Sequence, residues 1–335
     1  MSANRLGIIV GHLKGTSTLQ VFEDEGVLDV AGSGETAPET KYRFTLDKNN
    51  GLLSRAQRTQ YEANGFIIVK GIISNEELDH YAKRFDDIVR QRVHVPGLAK
   101  VKDVSVKDQE SSTFVVNKLQ DIFMDDELFA YCRHPKLLDY VENFTGPNIM
   151  AVNSMLINKP PDSGSLTSRH PLHQDLHYFP FRPADRVVCA WTAMESMNRD
   201  NGCLVVIPGS HKGALLEHDY PDWEGGVNIA YYGVKGACDV TSRRVFLQMD
   251  KGDTVFFHPI LIHGSGANRS RGFRKAISCH YAASECDYID VTGTTQVNIA
   301  KETMKMARIR GFLLENFEDA YRFRSQLVRG KRLTL

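Results

Sequence analysis

The sequence predicts a mainly β fold, an antiparallel jelly-roll core with helices packed outside it. Three observations carry that expectation. Capped amphipathic helices occupy the chain from about residue 54 to 146, short runs rich in Val, Ile, Phe and Cys follow from about 148 to 283, and turn residues separate those runs. Helices first and many short strands later indicate a sheet core with helices segregated to its outside. A jelly roll is a closed form that such strands adopt.

Along the chain, residues 1–41 read as a targeting segment and linker, and 42–335 as one folded domain. Residues 1–20 carry Arg5, His12 and Lys14 but no Asp or Glu, and the apolar residues 8–10 are too few for a secretory signal core. AGSGETAPET at 31–40 has the composition of a linker. Ser54 with Gln57, and Ser74 with Glu77, then match the capping-box spacing. The second helix follows with an apolar stripe of Leu78, Tyr81, Phe85, Ile88 and Val89. Between the two, Gly65 can close the first helix and FIIVK reads as a short buried strand. HPKLLDYVENFTG at 134–146 has Pro135 at its start and Gly146 past its end, the asymmetry of a helix.

NIMAVNSMLINK, VVCAWTAM, GCLVVIPG, RVFLQM, DTVFFHPILIHG and FRKAISCHYAA then read as strands, with Asn201-Gly202 and Lys251-Gly252-Asp253 supplying turns. From about 296 the pattern returns to helix. No period of solenoid length recurs.

Composition narrows the function classes. Apolar residues are 42% and charged residues 24%, ordinary for a globular domain with a core. Lys plus Arg equals Asp plus Glu at 41 each, so no global field favours nucleic acid or an anionic membrane. The cysteines at 132, 189, 203, 238, 279 and 286 form no C-x-x-C pair, which argues against a disulfide framework or zinc ribbon and fits a reducing compartment. No apolar run approaches the roughly 18 to 20 residues of a membrane span. The expectation is a soluble intracellular protein without a nucleic-acid partner.

HPLHQDLHYFPF at 170–181 concentrates the chemistry. His170, His173 and His177 would share a helix face, but Pro180 and Pro183 and the strand that follows leave no room for a helix. In an extended chain, His173 and Asp175 point to one side, so imidazole and carboxylate can reach one ion. That pair alone is a weak pattern. A second constellation downstream strengthens it: His263 at the end of an apolar strand, before Gly264, and Arg274 opening the next strand. Strands of a barrel can bring His173, Asp175 and His263 to one mouth. Two imidazoles and one carboxylate leave three coordination positions open, as in non-haem Fe(II) oxygenases, whereas a structural zinc site closes its coordination.

HPLHQDLHYFPFRPADRVVCAWTAM, NGCLVVIPGSHKG, KGDTVFFHPILIHGSG and GFRKAIS resemble the phytanoyl-CoA dioxygenase family. The likeness runs from YRFTLDKNNGLL onward and includes NFTGPNIM and MLINKPPDSG. It implies a double-stranded β-helix, the jelly-roll (cupin-like) core. It also implies Fe(II)- and 2-oxoglutarate-dependent 2-hydroxylation of phytanoyl-CoA and related 3-methyl-branched acyl-CoAs by O2, with ascorbate keeping the iron reduced, as a step in peroxisomal fatty acid α-oxidation. Carried over by position, the resemblance makes His173, Asp175 and His263 the iron ligands and Arg274 the clamp on the distal carboxylate of 2-oxoglutarate. Lys118, Met155, Trp191 and Ser265 match residues that line the cosubstrate pocket. A guanidinium suits that clamp because it can bind a carboxylate through two parallel N–H groups.

Other readings stand beside these. Trp191 would equally be core packing, Lys118 a solvated amine, and His170 and His177 neighbours of the ligands or surface groups. His211 is assigned no role. Basic residues near 83–107 and 301–332 either meet CoA phosphates or form a solvated face. The whole domain could be a metal-dependent hydrolase or isomerase, which would have no use for Arg274, or a non-catalytic acyl-CoA-binding protein, which an altered triad would betray. Arg5-Leu6, five residues, then His12-Leu13 resembles the bipartite peroxisomal signal, with Arg5, Ile9, His12 and Leu13 on one helix face for an import receptor. A mitochondrial presequence is the competitor.

Overall fold

Reciprocal caps start the helical layer. In α1 (Arg55–Asn64) the Gln57 N–H donates to the Ser54 hydroxyl while the Ser54 N–H donates to the Gln57 side chain. In α2 (Asn75–Val89) Ser74 and Glu77 repeat the arrangement. Each pair satisfies N–H groups that a helix start leaves without partners. The predicted stripe on α2 is buried in full. A third helix, α3 (Pro135–Thr145), buries Leu137, Leu138, Val141 and Phe144.

The computed structural model describes residues 42–46, 52–103, 116–162, 164, 166, 168–224, 226–236, 243–309 and 311–335. The expected targeting segment and linker lie outside the described residues. Tyr42–Leu335 packs as one compact unit. Its principal strands are β1 (Phe66–Val69), β2 (Ala99–Lys102), β3 (Val116–Gln120), β4 (Ile149–Lys159), β5 (His170–His173) and β6 (Val187–Ala193). They continue with β7 (Leu204–Val206), β8 (Val245–Leu247), β9 (Thr254–Phe257), β10 (His263–Ser265), β11 (Arg274–Ala283) and β12 (Gln326–Arg329). One sheet has eight strands in the order β1-β9-β6-β11-β4-β3-β2, with β12 also paired to β4. A second has four, in the order β8-β7-β10-β5. The pairs within both sheets are antiparallel. Two antiparallel sheets with helices outside are the predicted jelly roll.

Strand alternation assigns each face a task. Val188 and Ala190 of β6 pack with Ile277, Cys279 and Tyr281 of β11 against α2 and α3. The intervening Cys189 and Trp191 point into the sandwich, against Val206, Leu247 and Phe257. Helices α4 (Val297–Ile309) and α5 (Phe317–Arg324) fill the predicted helical tail. Among the described residues no helix is long and apolar enough to cross a membrane.

The structure corrects one strand. DTVFFHPILIHG is two strands in different sheets, because the chain turns at Pro259, where the Leu261 N–H donates to the His258 carbonyl. His263 therefore opens β10 and does not end a long apolar strand. β2, β3 and β12 are additional strands, short and rich in Lys, Gln and Arg.

Leu156 of β4 is fully buried and pairs across the sheet with Leu119 and Ile277. Leu156→Ala is expected to cost about 2–5 kcal/mol, read as a shift of the urea unfolding midpoint.

Candidate active site

Pairing of β5 with β10 sets His173 directly opposite His263. The chain stays extended through Gln174 (φ −121°, ψ 124°), and Asp175 then opens a 3-10 turn. Gln174 points the other way: its amide donates to the carbonyls of Ala214 and Ile260 and its oxygen accepts from the Leu216 N–H. His173 and Asp175 thus share a side, as their spacing predicts, although Asp175 belongs to a turn. His173 Nε2 is 3.2 Å and His263 Nε2 3.7 Å from Asp175 Oδ1. One ligand atom from each residue lies within 4.8 Å of the others.

Protons are placed by the backbone. Nδ1 of His173 lies 2.9 Å from the Pro171 carbonyl and Nδ1 of His263 lies 3.0 Å from the Leu261 carbonyl. A carbonyl only accepts, so each Nδ1 carries the hydrogen and each Nε2 keeps its lone pair for a cation. Burial pushes His263 down to about 4, against the pull of Asp175, so the ring is neutral at physiological pH. Burial alone would raise the Asp175 carboxyl, but the surrounding histidines, His263, His280 and His173, hold it well below the usual carboxylate range.

His280, on β11, is the residue the sequence reading missed. Its Nε2 lies 2.8 Å from Asp175 Oδ2, and its Nδ1 lies 3.4 Å from the Asn153 amide nitrogen. The amide donates to Nδ1, Nε2–H donates to Oδ2, and Oδ1 is left facing the imidazoles of His173 and His263. Asp175, Cys189 and His280 also approach closely enough to share an ion. Burial, however, pushes the Cys189 thiol well up, and the His280 Nε2 is occupied by Asp175. A sequence signal existed: His280 follows Arg274 by six residues, on the same strand face.

Arg274 opens β11 and is 2% exposed. Its Nη2 donates to the Gly202 carbonyl at 2.8 Å, while Nε and Nη1 are buried without a partner among the described residues. Burial lowers it to about 10, so it stays cationic at neutral pH. The Trp191 ring centre is 5.5 Å from the guanidinium carbon, within cation–π range. A cavity of about 1090 Å³ joins this guanidinium to His173, Asp175 and His263, and Lys118, Met155, Trp191 and Ser265 also line it.

All eight predicted site residues therefore meet in one space. Lys118 is not a freely solvated amine: burial lowers it to about 8, and it lies 5.4 Å from the Tyr231 ring centre. His170 stacks between His173 and Tyr231 at 4.2 and 4.0 Å. His177 is buried against His218 at 4.3 Å. Neither is a surface group. Three ligand atoms converging on one point beside a buried, part-unpaired guanidinium can hold a divalent cation and an anionic ligand together.

Gly264 allows the close pairing of β10 with β5. A Cβ there would sit 2.8 Å from the His170 carbonyl oxygen and 2.9 Å from that of Pro171. Gly264→Ala is expected to cost about 1–3 kcal/mol, with a lowered thermal midpoint and weaker divalent-cation binding. Gly272→Ala, whose Cβ would meet nothing within 4 Å, should stay within about 0.5 kcal/mol.

The sequence profile of the family described as Phytanoyl-CoA dioxygenase (PhyH) matches residues 61–276. The rat protein named "Phytanoyl-CoA dioxygenase, peroxisomal" is 52% identical over 99% of this chain and 98% of its own length. The human protein of the same name is 50% identical over 100% of this chain and 98% of its own. Among solved structures, EctD from S. alaskensis with 2-oxoglutarate and 5-hydroxyectoine superposes with a TM-score of 0.57 at 18% identity, covering 76% of this chain and 85% of that one. At that identity the superposition speaks for the fold, while the profile and the full-length relatives speak for descent. The chain belongs to the phytanoyl-CoA dioxygenase family of oxidoreductases.

Proposed function

We propose that the protein is an Fe(II)- and 2-oxoglutarate-dependent oxygenase that hydroxylates carbon 2 of phytanoyl-CoA and related 3-methyl-branched acyl-CoAs, in peroxisomal fatty acid α-oxidation. The observation that carries the reading is the buried Arg274, two of whose N–H-bearing nitrogens have no partner among the described residues, in the cavity that also holds His173, Asp175 and His263. A hydrolase on the same barrel gives that arginine nothing to do.

In this reading His173 Nε2, Asp175 Oδ1 and His263 Nε2 would hold the iron. The bound iron, with 2-oxoglutarate and O2, supplies the oxidising power, and the cosubstrate leaves as succinate and CO2. Arg274 takes the distal carboxylate of 2-oxoglutarate, and Trp191, Met155, Ser265 and Lys118 shape the pocket around it. His280 keeps Asp175 oriented. Ascorbate, as the agent that keeps iron reduced, enters through the family resemblance.

The cavity also supports the choice of substrate. Away from the triad it is lined by Met124, Ile229, Met306, Phe312, Leu314 and Phe323, of which Phe312 and Phe323 are about half exposed. An acyl chain laid there would cover aromatic surface worth about 25 cal/mol per Å² removed from water. Lys100 and Lys102 of β2 line the same cavity, and Lys301, Lys305 and Arg308 lie exposed on α4. These cations suit the phosphates of CoA.

The direct test is 2-oxoglutarate decarboxylation with and without phytanoyl-CoA, scored for the 2-hydroxylated product. His173→Ala and His263→Ala should abolish turnover and keep a cooperative thermal transition. Activity retained in both variants with iron, or unmodified protein indifferent to excess chelator, would overturn the reading.

We propose also that residues 1–41 are a peroxisomal targeting segment and linker ahead of the oxygenase domain, read by an import receptor through Arg5, Ile9, His12 and Leu13. A reporter carrying residues 1–30 should enter peroxisomes, and His12→Asp should disperse it. Mitochondrial capture of the unmodified reporter would end this idea.

A further inference from the structure

Lys159, the last residue of β4, is a buried amine to which the reading above gives no work. It is the register partner of Arg274, so the two side chains stand on one face of the sheet. Its Nζ donates to the Ser168 carbonyl, the Ser265 hydroxyl and the Gly266 carbonyl, each at 2.7 Å. The two carbonyls can only accept and take two N–H groups, while the Ser265 hydroxyl accepts a third from the ammonium or donates to the neutral amine. Burial pushes Lys159 well below the ordinary lysine range, and the charge of Arg274 pushes the same way. The hydrogen-bond partners of both basic groups are nevertheless neutral oxygens. Asp103 and Asp162 act on Lys159, and Glu195 on Arg274, only through space, so an anion seated directly between the two basic groups would still be favoured in a site of low dielectric.

The turn at Asn201-Gly202 fixes their spacing. The Gly202 carbonyl accepts from Arg274, while its bare α-carbon lies against Lys159. At φ +75° a Cβ on Gly202 would meet the Gly266 carbonyl oxygen at 2.5 Å and Lys159 Cδ at 3.1 Å, so this position needs glycine both for its backbone and for the contact. With Lys159 protonated, the Ser265 oxygen spends a lone pair on it, and its hydrogen must point away from that ammonium. Ser265 lines the cavity with Arg274, so the hydrogen is available to a ligand there.

We propose that Lys159 is a positioning residue for the anionic cosubstrate: with Arg274 it forms a doubly cationic socket for the distal carboxylate of a 2-oxo dicarboxylic acid, and it turns the Ser265 hydroxyl hydrogen toward that carboxylate. The inference rests on the cosubstrate reading above and adds a second cation to it.

Calorimetric titration of 2-oxoglutarate and of 2-oxobutyrate, which lacks the distal carboxylate, into anaerobic Fe(II)-loaded protein separates the outcomes. The unmodified protein should prefer 2-oxoglutarate. Lys159→Met should weaken 2-oxoglutarate about tenfold or more and leave 2-oxobutyrate and Fe(II) affinity unchanged. Arg274→Gln should weaken 2-oxoglutarate by about tenfold to several hundredfold yet keep a residual preference for it, which the double variant loses. Equal losses for both acids in Lys159→Met would mean that the lysine only supports the fold, and would overturn the proposal. If Lys159→Met does not fold, Arg274→Gln decides: with Lys159 as the remaining cation it must still favour 2-oxoglutarate, and equal affinities would overturn the proposal. An unmodified protein that does not distinguish the two acids would instead sink the cosubstrate reading, and the proposal with it.

Discussion

The Asp175 carboxylate is the constraint on which the rest of the site depends. Burying a carboxylate costs several kcal/mol unless its oxygens are satisfied, and here each oxygen has a separate duty. Oδ2 accepts from His280, and Oδ1 faces His173 and His263. The arrangement is held from behind. Gln120 donates to the Asn153 oxygen at 2.6 Å, which fixes the Asn153 amide with its nitrogen toward His280. That nitrogen can only donate, so His280 must carry its hydrogen on Nε2 and present it to Asp175. A chain of polar side chains from β3 through β4 and β11 thereby decides which carboxylate oxygen is free.

β11 shows how stability and chemistry are kept apart. Ile277, Cys279 and Tyr281 are buried under the helices, whereas Arg274, Ser278 and His280 line the cavity from the opposite face. Helix caps, the α2 stripe and the apolar face of β11 can therefore be tuned for folding without moving the reactive groups. The cost falls on the inner face, where a polar row sits in a sheet buried on both sides and every member needs a partner.

This layout explains what a linear reading could reach. Caps, the α2 stripe and the i, i+2 relation of His173 and Asp175 are local, set by backbone geometry within a few residues. The break in DTVFFHPILIHG was signalled by Pro259, but an apolar run on both sides masked it, because β9 and the turn after it are buried alike. β2, β3 and β12 carry Lys, Gln and Arg and lack the apolar density of the inner strands. The partnership of His280 with Asp175 and of Lys159 with Arg274 depends on the register of β11 with β4 and on packing between sheets. Spacing cannot encode that register. Family resemblance supplied Arg274, Lys118, Met155, Trp191 and Ser265, which periodicity alone would have left as ordinary core or surface residues.

The charges finally give the cavity a direction. Anionic Asp175 stands between two imidazoles at one end, and the buried Arg274 guanidinium and Lys159 amine stand at the other. A divalent cation is favoured at the first and a carboxylate at the second, so a ligand carrying a metal-chelating group and a remote carboxylate has one orientation that satisfies both. With Lys159 protonated, its repulsion with Arg274 would be little screened where water is excluded. An anion bound there would relieve that repulsion, and a ligand that binds only the folded protein stabilises it by mass action. Selectivity for a dicarboxylate would then arise from stability given up in the ligand-free fold.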